Sequence, residues 1–190
     1  MNKPSTEKIV INGGCAAECR SYAREHFGDA YAVVCDGNTE PIARRAFPGD
    51  ELIVFPAGSH ATEQAADDCI SRIKSDELCG LIACGSGSVH DIARYSAHDR
   101  KIPFVSFPTA ASVDGFASGV AAMTWQKGNI SVRAADRAVC RRRCIFLRAA
   151  RAARLRRGRY RRKICLHLRL DIYIAAYKRD GRGRYIQVGK

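Results

Sequence analysis

Residues 85–91 contain the residue types that bind phosphate. They read Gly-Ser-Gly-Ser-Val-His-Asp and come directly after the apolar run Leu81-Ile82-Ala83-Cys84. Glycine lets the backbone turn tightly and approach an anion without a side-chain clash, and the free N–H groups at the start of a helix attract negative charge. A Gly-Ser-Gly sequence also forms ordinary loops, but its position between a predicted strand and a predicted helix favours a phosphate site.

A second stretch, residues 107–118, reads Phe-Pro-Thr-Ala-Ala-Ser-Val-Asp-Gly-Phe-Ala-Ser. Its hydroxyl side chains, Thr109, Ser112 and Ser118, follow the end of a predicted strand, where they could hold a ribose or a pyrophosphate. Asp114 is the only charged residue of the stretch. The residue types alone also allow a simple turn in which the carboxylate of Asp114 accepts hydrogen bonds from backbone N–H groups.

The first two thirds of the chain alternate between short apolar runs and helical patterns. The predicted strands are 31–35, 51–55, 81–84 and 104–107, and the predicted helices are 62–74, with Thr62 as N-cap, and 88–98. Continuous apolar strands that are separated by helices predict an α/β fold with a parallel sheet covered on both faces. Ligands of such sheets bind at the carboxyl ends of the strands.

Charge divides the chain into two parts. Residues 1–126 contain 11 Lys/Arg and 16 Asp/Glu, a net charge of −5, whereas residues 127–190 contain 21 Lys/Arg and 3 Asp, a net charge of +18. Apolar residues after 126 show no helical or strand period. We therefore predict a boundary at 126/127, with a domain at 1–126 and a poorly ordered, irregular or weakly helical Arg-rich tail at 127–190.

Several classes of protein are disfavoured by composition. No run approaches the roughly 18 apolar residues that a membrane span needs, and residues 1–8 lack the pattern of a signal peptide, so we expect a cytoplasmic protein. The nine cysteines are odd in number, and Cys35, Cys69 and Cys84 lie in apolar stretches, which predicts reduced core thiols rather than disulfides.

The two motifs together resemble the glycerol-1-phosphate dehydrogenases, which belong to the superfamily of dehydroquinate synthases and iron-dependent alcohol dehydrogenases. The resemblance covers residues 7–126 and implies a Rossmann-like sheet. It also implies a parent reaction in which NADH or NADPH reduces dihydroxyacetone phosphate to sn-glycerol 1-phosphate. A relative closer to dehydroquinate synthase stays open, although Ala110-Ala111-Ser112 fits that branch less well.

The resemblance also implies roles for individual residues. Asp36 would bind the adenosine ribose, and Asp114 would contact the glycerol phosphate substrate. The remaining cofactor contacts would be Gly85, Gly87, Ser88, Val89, His90, Asp91, Thr109, Ala110, Ala111, Ser112 and Ser118. Position 90 varies in the family, so we expect His90 to be a loop residue rather than a catalytic base.

The metal half of such a site has no counterpart here. The family uses a divalent metal (zinc, nickel or iron) that polarises the substrate oxygen, and its ligands are one Asp and two His of the C-terminal domain. The Asp lies in a Gly-Asp-x-x-Gly-Lys motif, but residues 158–163 read Gly-Arg-Tyr-Arg-Arg-Lys, and His167 is the only histidine after residue 98. We therefore predict a truncated enzyme that keeps the cofactor residues, lacks the metal ligands and is inactive alone.

The Arg-rich tail has two further interpretations. Read one nucleotide later, codons for residues 157–173 can spell Gly-Gly-Asp-Ile-Gly-Gly-Lys, which restores the family motif and indicates a frameshift near residues 126–128. Alternatively, the tail is a genuine nucleic-acid-binding arm on a nucleotide-binding module, since dense arginine binds polyanions without sequence specificity.

The frameshift hypothesis makes a direct prediction about the gene. The nucleotide sequence downstream of codon 126, translated in the next frame, is expected to encode a family-like protein that includes the Gly-Asp-x-x-Gly-Lys motif. Sequencing the DNA around codons 120–175 tests this, and an Arg-rich or unrelated translation in that frame would exclude a frameshift.

Overall fold

The computed structural model describes residues 6–12, 15–73, 78–109, 119–125, 128–133, 143–148, 177–179 and 185–187. Its helices are α1 (Cys15–Phe27), α2 (Glu40–Ala46), α3 (Glu63–Arg72) and α4 (Gly87–Asp99). Its strands are β1 (Thr6–Asn12), β2 (Tyr31–Asp36), β3 (Glu51–Phe55), β4 (Gly80–Gly85), β5 (Phe104–Pro108), β6 (Val120–Trp125), β7 (Gly128–Arg133), β8 (Arg143–Arg148), β9 (Tyr177–Arg179) and β10 (Tyr185–Gln187).

Six strands form a parallel sheet in the order β1-β8-β5-β4-β2-β3. Every residue of β2, β4 and β5 is buried, because helices cover both faces of the sheet. One core layer lies under α1 and α2, and the other lies under α3, α4 and β6. The predicted α/β class and parallel sheet are confirmed.

Local signals explain where several elements begin. The side-chain oxygen of Thr62 accepts a hydrogen bond from the N–H of Ala65 at 3.2 Å, which makes Thr62 the N-cap of α3 as predicted. Pro41 lies at the start of α2, where its missing N–H costs nothing. The three thiols predicted to lie in the core, Cys35, Cys69 and Cys84, are all buried and unbonded to one another.

Strands also occur beyond the predicted boundary, where irregular or weakly helical backbone was expected. The antiparallel hairpin of β6 and β7 crosses residues 126/127, and β8 inserts between β1 and β5 of the main sheet. The sequence of β8 has four apolar residues in a row between two arginines, which is typical of a short strand covered on both faces. The expected backbone is therefore wrong for these two segments, and the division of the chain at 126/127 stays a prediction.

Within the described ranges, the helices are all too short or too polar to cross a membrane.

A buried carboxylate holds α1 against the loop before β3. Asp50 Oδ2 accepts hydrogen bonds from Arg20 Nε at 2.9 Å and from the Tyr31 hydroxyl at 2.7 Å, and its Oδ1 accepts from Arg20 Nη2 at 3.2 Å. Burial alone would raise the pKa of Asp50, but the hydrogen bonds from Arg20 and Tyr31 outweigh it, so the pKa lies below its ordinary value. The side chain is 7% exposed, so this pair is better shielded from solvent than an ordinary surface ion pair.

Replacing this carboxylate tests its contribution. Asp50→Asn is expected to lower the free energy of unfolding at pH 7 by about 1–3 kcal/mol, because Arg20 and Tyr31 lose a charged acceptor. The folded-state pKa is depressed, so the stabilisation is complete above the unfolded pKa of about 3.9 and is lost as the pH falls through the folded value. Guanidinium denaturation at pH 7 and at lower pH should therefore show a difference that shrinks on acidification.

The matched control for this prediction is Asp29→Asn, whose side chain is 92% exposed and lies 3.7 Å from Arg24. Exposed pairs contribute little. A loss of stability in Asp29→Asn as large as that in Asp50→Asn would contradict the argument.

Candidate cofactor-binding site

Three of the predicted site residues meet at the carboxyl edge of the sheet. Asp36 ends β2, Gly85 ends β4, and Thr109 directly follows β5, and these three strands are neighbours in the order β5-β4-β2. The N–H of Thr109 donates a hydrogen bond to the carbonyl oxygen of Gly85 at 3.1 Å. The fold therefore brings together residues that are 73 positions apart in the sequence.

A crevice between β2 and β4 follows from the topology. The helix after β2, α2, packs on the same face as α1, since Ala43 and Phe47 join its core layer. The helix after β4, α4, packs on the opposite face, where Ile92 and Ala93 join the other layer. Neighbouring strands whose connections leave toward opposite faces open a crevice at their carboxyl ends, which is the usual ligand site of open parallel sheets.

Gly85 is required for the close packing of α4 on β4. A Cβ atom at position 85 would lie 2.7 Å from the Cβ of Val89, a distance that side chains do not tolerate. Val89 is fully buried in the core, so it has no room to move away. Glycine at this position thus brings the first turn of α4 directly to the end of the strand.

The first turn of α4 presents its backbone toward this edge. Ser86 is the N-cap, and its side chain makes no capping hydrogen bond to the first N–H groups of the helix. Gly87 is buried and Ser88 is half-buried. These N–H groups and the positive end of the helix dipole are the features that attract a phosphate group.

Asp36 is fixed by a tight turn. Its Oδ1 accepts hydrogen bonds from the Thr39 N–H at 2.9 Å and from the Thr39 hydroxyl at 2.8 Å, and the residue is 4% exposed. The following residue, Gly37, donates its N–H to the carbonyl of Phe55 at 2.9 Å, which connects the turn to the end of β3. The carboxylate is therefore preorganised at the strand end.

His90 lies inside α4 and not in a loop, so its predicted location is wrong. It belongs to the first turn and a half of the helix, where position 90 faces the sheet, and it is 1% exposed. Its Nδ1 lies 2.8 Å from the carbonyl oxygen of Ser86, which can only accept, so Nδ1 carries the proton. Burial lowers the pKa of His90 to about 3, and the imidazole is neutral at physiological pH.

The burial of Val89 and His90 limits how they could contact a ligand. Their side chains pack into the core, Val89 against the aliphatic layer and His90 edge-on to Phe104 at 6.2 Å between ring centroids. Any contact with a cofactor would use the backbone. Asp91 differs, since its side chain is 19% exposed and pairs with Arg94 Nη1 at 2.8 Å. Burial raises the pKa of Asp91, against the opposing effect of the Arg94 charge.

A cleft of about 250 Å³ opens beside Thr109, between the start of α1, the second half of α2 and the end of β5. Arg45 lines it and supplies a cation, and Cys15 and Ile42 supply apolar surface. The sequence gives no signal for this cleft, because these residues come from separate helices whose packing no local pattern predicts.

The remaining predicted site residues are Ala110, Ala111, Ser112, Asp114 and Ser118, and they lie outside the described residues. The roles of all predicted site residues stay predictions. In the part of the chain that the structure describes, no three His, Cys, Asp or Glu side chains converge into a metal site. The predicted loss of the metal ligands stays a prediction.

The parallel sheet, with helices on both faces and a switch point between β2 and β4, places the chain among the doubly wound α/β folds. The comparison of sequences identifies the group more closely. Residues 10–140, well over half of the chain, match the family model of the iron-containing alcohol dehydrogenases, so the chain belongs to that family. The match extends 14 residues past the predicted 126/127 boundary.

Curated relatives carry the name that the sequence motifs indicated. The chain is 35% identical over 124 residues to the glycerol-1-phosphate dehydrogenase [NAD(P)+] of Bacillus velezensis. This alignment covers 59% of this chain and 31% of that protein. It is 56% identical over 124 residues to the enzyme of the same name from Geobacillus stearothermophilus, covering 59% and 30%. The chain thus spans about a third of the length of the curated relatives it matches.

Solved structures support the fold. A probable glycerol dehydrogenase from Sinorhizobium meliloti aligns with a TM-score of 0.62 at 17% identity, covering 74% of this chain and 39% of that one. A sulfoacetaldehyde reductase from Bifidobacterium kashiwanohense, solved in complex with NAD+, aligns with a TM-score of 0.61 at 17% identity, covering 76% and 45%. At this identity the likeness establishes the fold.

The buried neutral imidazole predicts a pH effect on stability. Unfolded His90 binds a proton below about pH 6.5, whereas the folded residue binds one only near pH 3. Its contribution is therefore complete above pH 6.5, and it lowers the free energy of unfolding by up to about 1.4 kcal/mol per pH unit as the pH falls toward 3. His90→Asn keeps a donor for Ser86 and is expected to have a flatter pH profile in urea denaturation.

The control for this effect is His60→Asn, since His60 is exposed before α3. Its pH profile should match that of the wild type. Equal slopes for His90→Asn and the wild type between pH 6.5 and 4 would show that His90 titrates normally in the folded protein.

Proposed function

We propose that this chain is the dinucleotide-binding part of an NAD(P)-dependent glycerol-1-phosphate dehydrogenase. The parent reaction is the reversible reduction of dihydroxyacetone phosphate to sn-glycerol 1-phosphate. The observation that carries the proposal is that Asp36, Gly85 and Thr109 lie at the ends of three neighbouring strands, with the crevice between β2 and β4 beside two of them. The names of the curated relatives support the choice of substrate.

The cofactor lies along the carboxyl edge in this proposal. Its adenosine ribose binds at the end of β2, where Asp36 Oδ1 is occupied by Thr39 and Oδ2 accepts a hydrogen bond from a ribose hydroxyl. Its pyrophosphate binds the N–H groups of Gly87 and Ser88 at the start of α4. A carboxylate beside the ribose disfavours the 2′-phosphate of NADP. The proposal nevertheless includes both NAD and NADP as cofactors.

The nicotinamide and the substrate then lie toward β5. Thr109 and Ser112 are proposed to contact the cofactor, as are Ala110, Ala111 and Ser118, and Asp114 is proposed to orient the glycerol phosphate. The bound dinucleotide supplies the hydride. The protein contributes orientation: the strand ends hold the ribose and the pyrophosphate so that the nicotinamide is placed over the end of β5.

A Lewis acid is the missing part of this chemistry. The parent family needs a divalent metal, and neither the described residues nor the sequence of 127–190 offers its one Asp and two His. We therefore propose that this chain supplies the cofactor residues only and that a frame change after residue 126 replaced the metal-binding part. A bound divalent metal would polarise the substrate oxygen, and single electrostatic donors of this kind contribute about 10²–10³ in rate.

The cofactor proposal is tested by titrating the 190-residue chain with NADH in a calorimeter. Asp36→Asn keeps an oxygen that accepts from Thr39 but removes the charge that faces the ribose. We expect the dissociation constant for NADH to rise about tenfold, equivalent to about 1.4 kcal/mol, with a smaller change for NADPH. Glu40→Gln, a neighbouring carboxylate that pairs with Arg44 on the surface, is the control and should bind NADH like the wild type.

Activity assays with dihydroxyacetone phosphate, NADH and added zinc, nickel or iron complete this test. The 190-residue chain should be inactive, and the protein with its frame restored by one nucleotide should be active. Metal-dependent turnover by the 190-residue chain would contradict the proposed loss of the metal ligands. Absence of NADH binding by the wild type would contradict the cofactor site itself.

A further inference from the structure

Arg94 is a buried cation about two helical turns beyond the glycine loop, residues 85–87. It lies in α4, is 1% exposed, and is among the largest fully buried side chains of the described core. Burying a guanidinium is costly unless each of its contacts is well formed, and a buried ion pair is weak evidence of stabilisation. Its presence therefore calls for a role other than stability.

The contacts of Arg94 join two elements. Its Nη1 donates to Asp91 Oδ1 at 2.8 Å and to the carbonyl oxygen of Val120 at 2.8 Å, and its Cζ lies 5.4 Å from the centre of the Phe104 ring. The carboxylate of Asp91 also accepts a hydrogen bond from the backbone of Ala122. One ion pair thus connects α4 to both Val120 and Ala122 of β6.

The elements that this ion pair connects, α4 and β6, lie beside the proposed site. The N–H of Thr109 is bonded to the glycine loop at Gly85, and the chain returns to α4 at Val120, two residues after Ser118. Both attachment points therefore belong to the β4–α4 unit. Further along β6, Trp125 packs edge-on against Tyr95 of α4 at 5.4 Å between ring centroids.

We infer that Arg94 is a positioning residue that holds Asp91 and the start of β6 in register with the glycine loop. It acts through Asp91 and β6 and does not itself touch the cofactor. An arginine suits this role, because its Nη1 donates to a carboxylate and to a carbonyl at once while the guanidinium lies over the ring of Phe104. The inference rests on the proposed cofactor site for its effect on binding, but not for its effect on β6.

The test separates positioning from simple stability. Arg94→Met keeps most of the volume but leaves the half-buried carboxylate of Asp91 without its cation, and this variant should be destabilised. The double variant Asp91→Asn/Arg94→Met leaves no unpaired charge, so it should regain most of the thermal stability. If Arg94 positions the site, the double variant should nevertheless bind NADH about tenfold more weakly than the single variant Asp91→Asn, which accounts for any direct contact of that carboxylate with the cofactor.

A second readout needs no cofactor. Trp125 is the only tryptophan of the chain and lies on β6, so its fluorescence reports the docking of this strand on α4. We expect its emission to shift to longer wavelength in the folded double variant. The matched control is Arg72→Met, because Arg72 makes the same kinds of contact on the surface: Asp68, the carbonyl of Val54 and the ring of Phe55. This control should change neither the Trp125 emission nor the NADH affinity.

The outcomes separate the two hypotheses. Unchanged Trp125 emission in the folded double variant overturns the inference, whether or not NADH binds. An affinity for NADH in the double variant equal to that of Asp91→Asn also overturns it. If the wild type binds no NADH, the proposed function fails, and a shift of Trp125 emission confined to the Arg94 variants still supports the positioning of β6.

Discussion

The contact between Gly85 and Val89 sets the geometry of the whole carboxyl edge. Because residue 85 has no side chain, α4 begins against the end of β4, and its first N–H groups lie beside the crevice. The same closeness lets the carbonyl of Gly85 accept from Thr109 and places Arg94 opposite β6. A larger residue at position 85 would push α4 outward and disturb all three contacts together.

Among the described residues, three of the six buried polar side chains lie on α4: His90, Arg94 and Ser96. His90 uses the carbonyl of Ser86, four residues earlier in its own helix, and Arg94 uses Asp91, three residues earlier. Both side chains pack against Phe104 of β5. The helix that presents its N-terminus to the crevice is thus fixed to the sheet by polar contacts as well as by apolar ones.

Sequence patterns predicted the parallel sheet and the glycine loop, because continuous apolar strands and a glycine between strand and helix are local signals. They placed Asp36, Gly85 and Thr109 at strand ends, where the structure has them. They did not predict that Val89 and His90 face the core, since a motif gives the spacing of residues but not the rotation of a helix. The contacts of Arg94 with β6 join positions 26 residues apart, and no pattern within one element reports them. Likewise, a strand at β8 was not predicted, because arginines flank its four apolar residues. A run of four apolar residues is nevertheless typical of a buried strand.

The position of β8 in the strand order has a consequence for how the chain folds during synthesis. β1 is hydrogen-bonded to β8 and has no other neighbour in the described sheet, so residues 6–12 pair with residues 143–148. At about 5–20 residues per second, the ribosome needs roughly 7–30 seconds to make the intervening segment. Until residues 143–148 have been made, β1 lacks its partner in the described sheet and the edge of β5 is open. An open strand edge of this kind presents unpaired N–H and C=O groups with which another chain can pair.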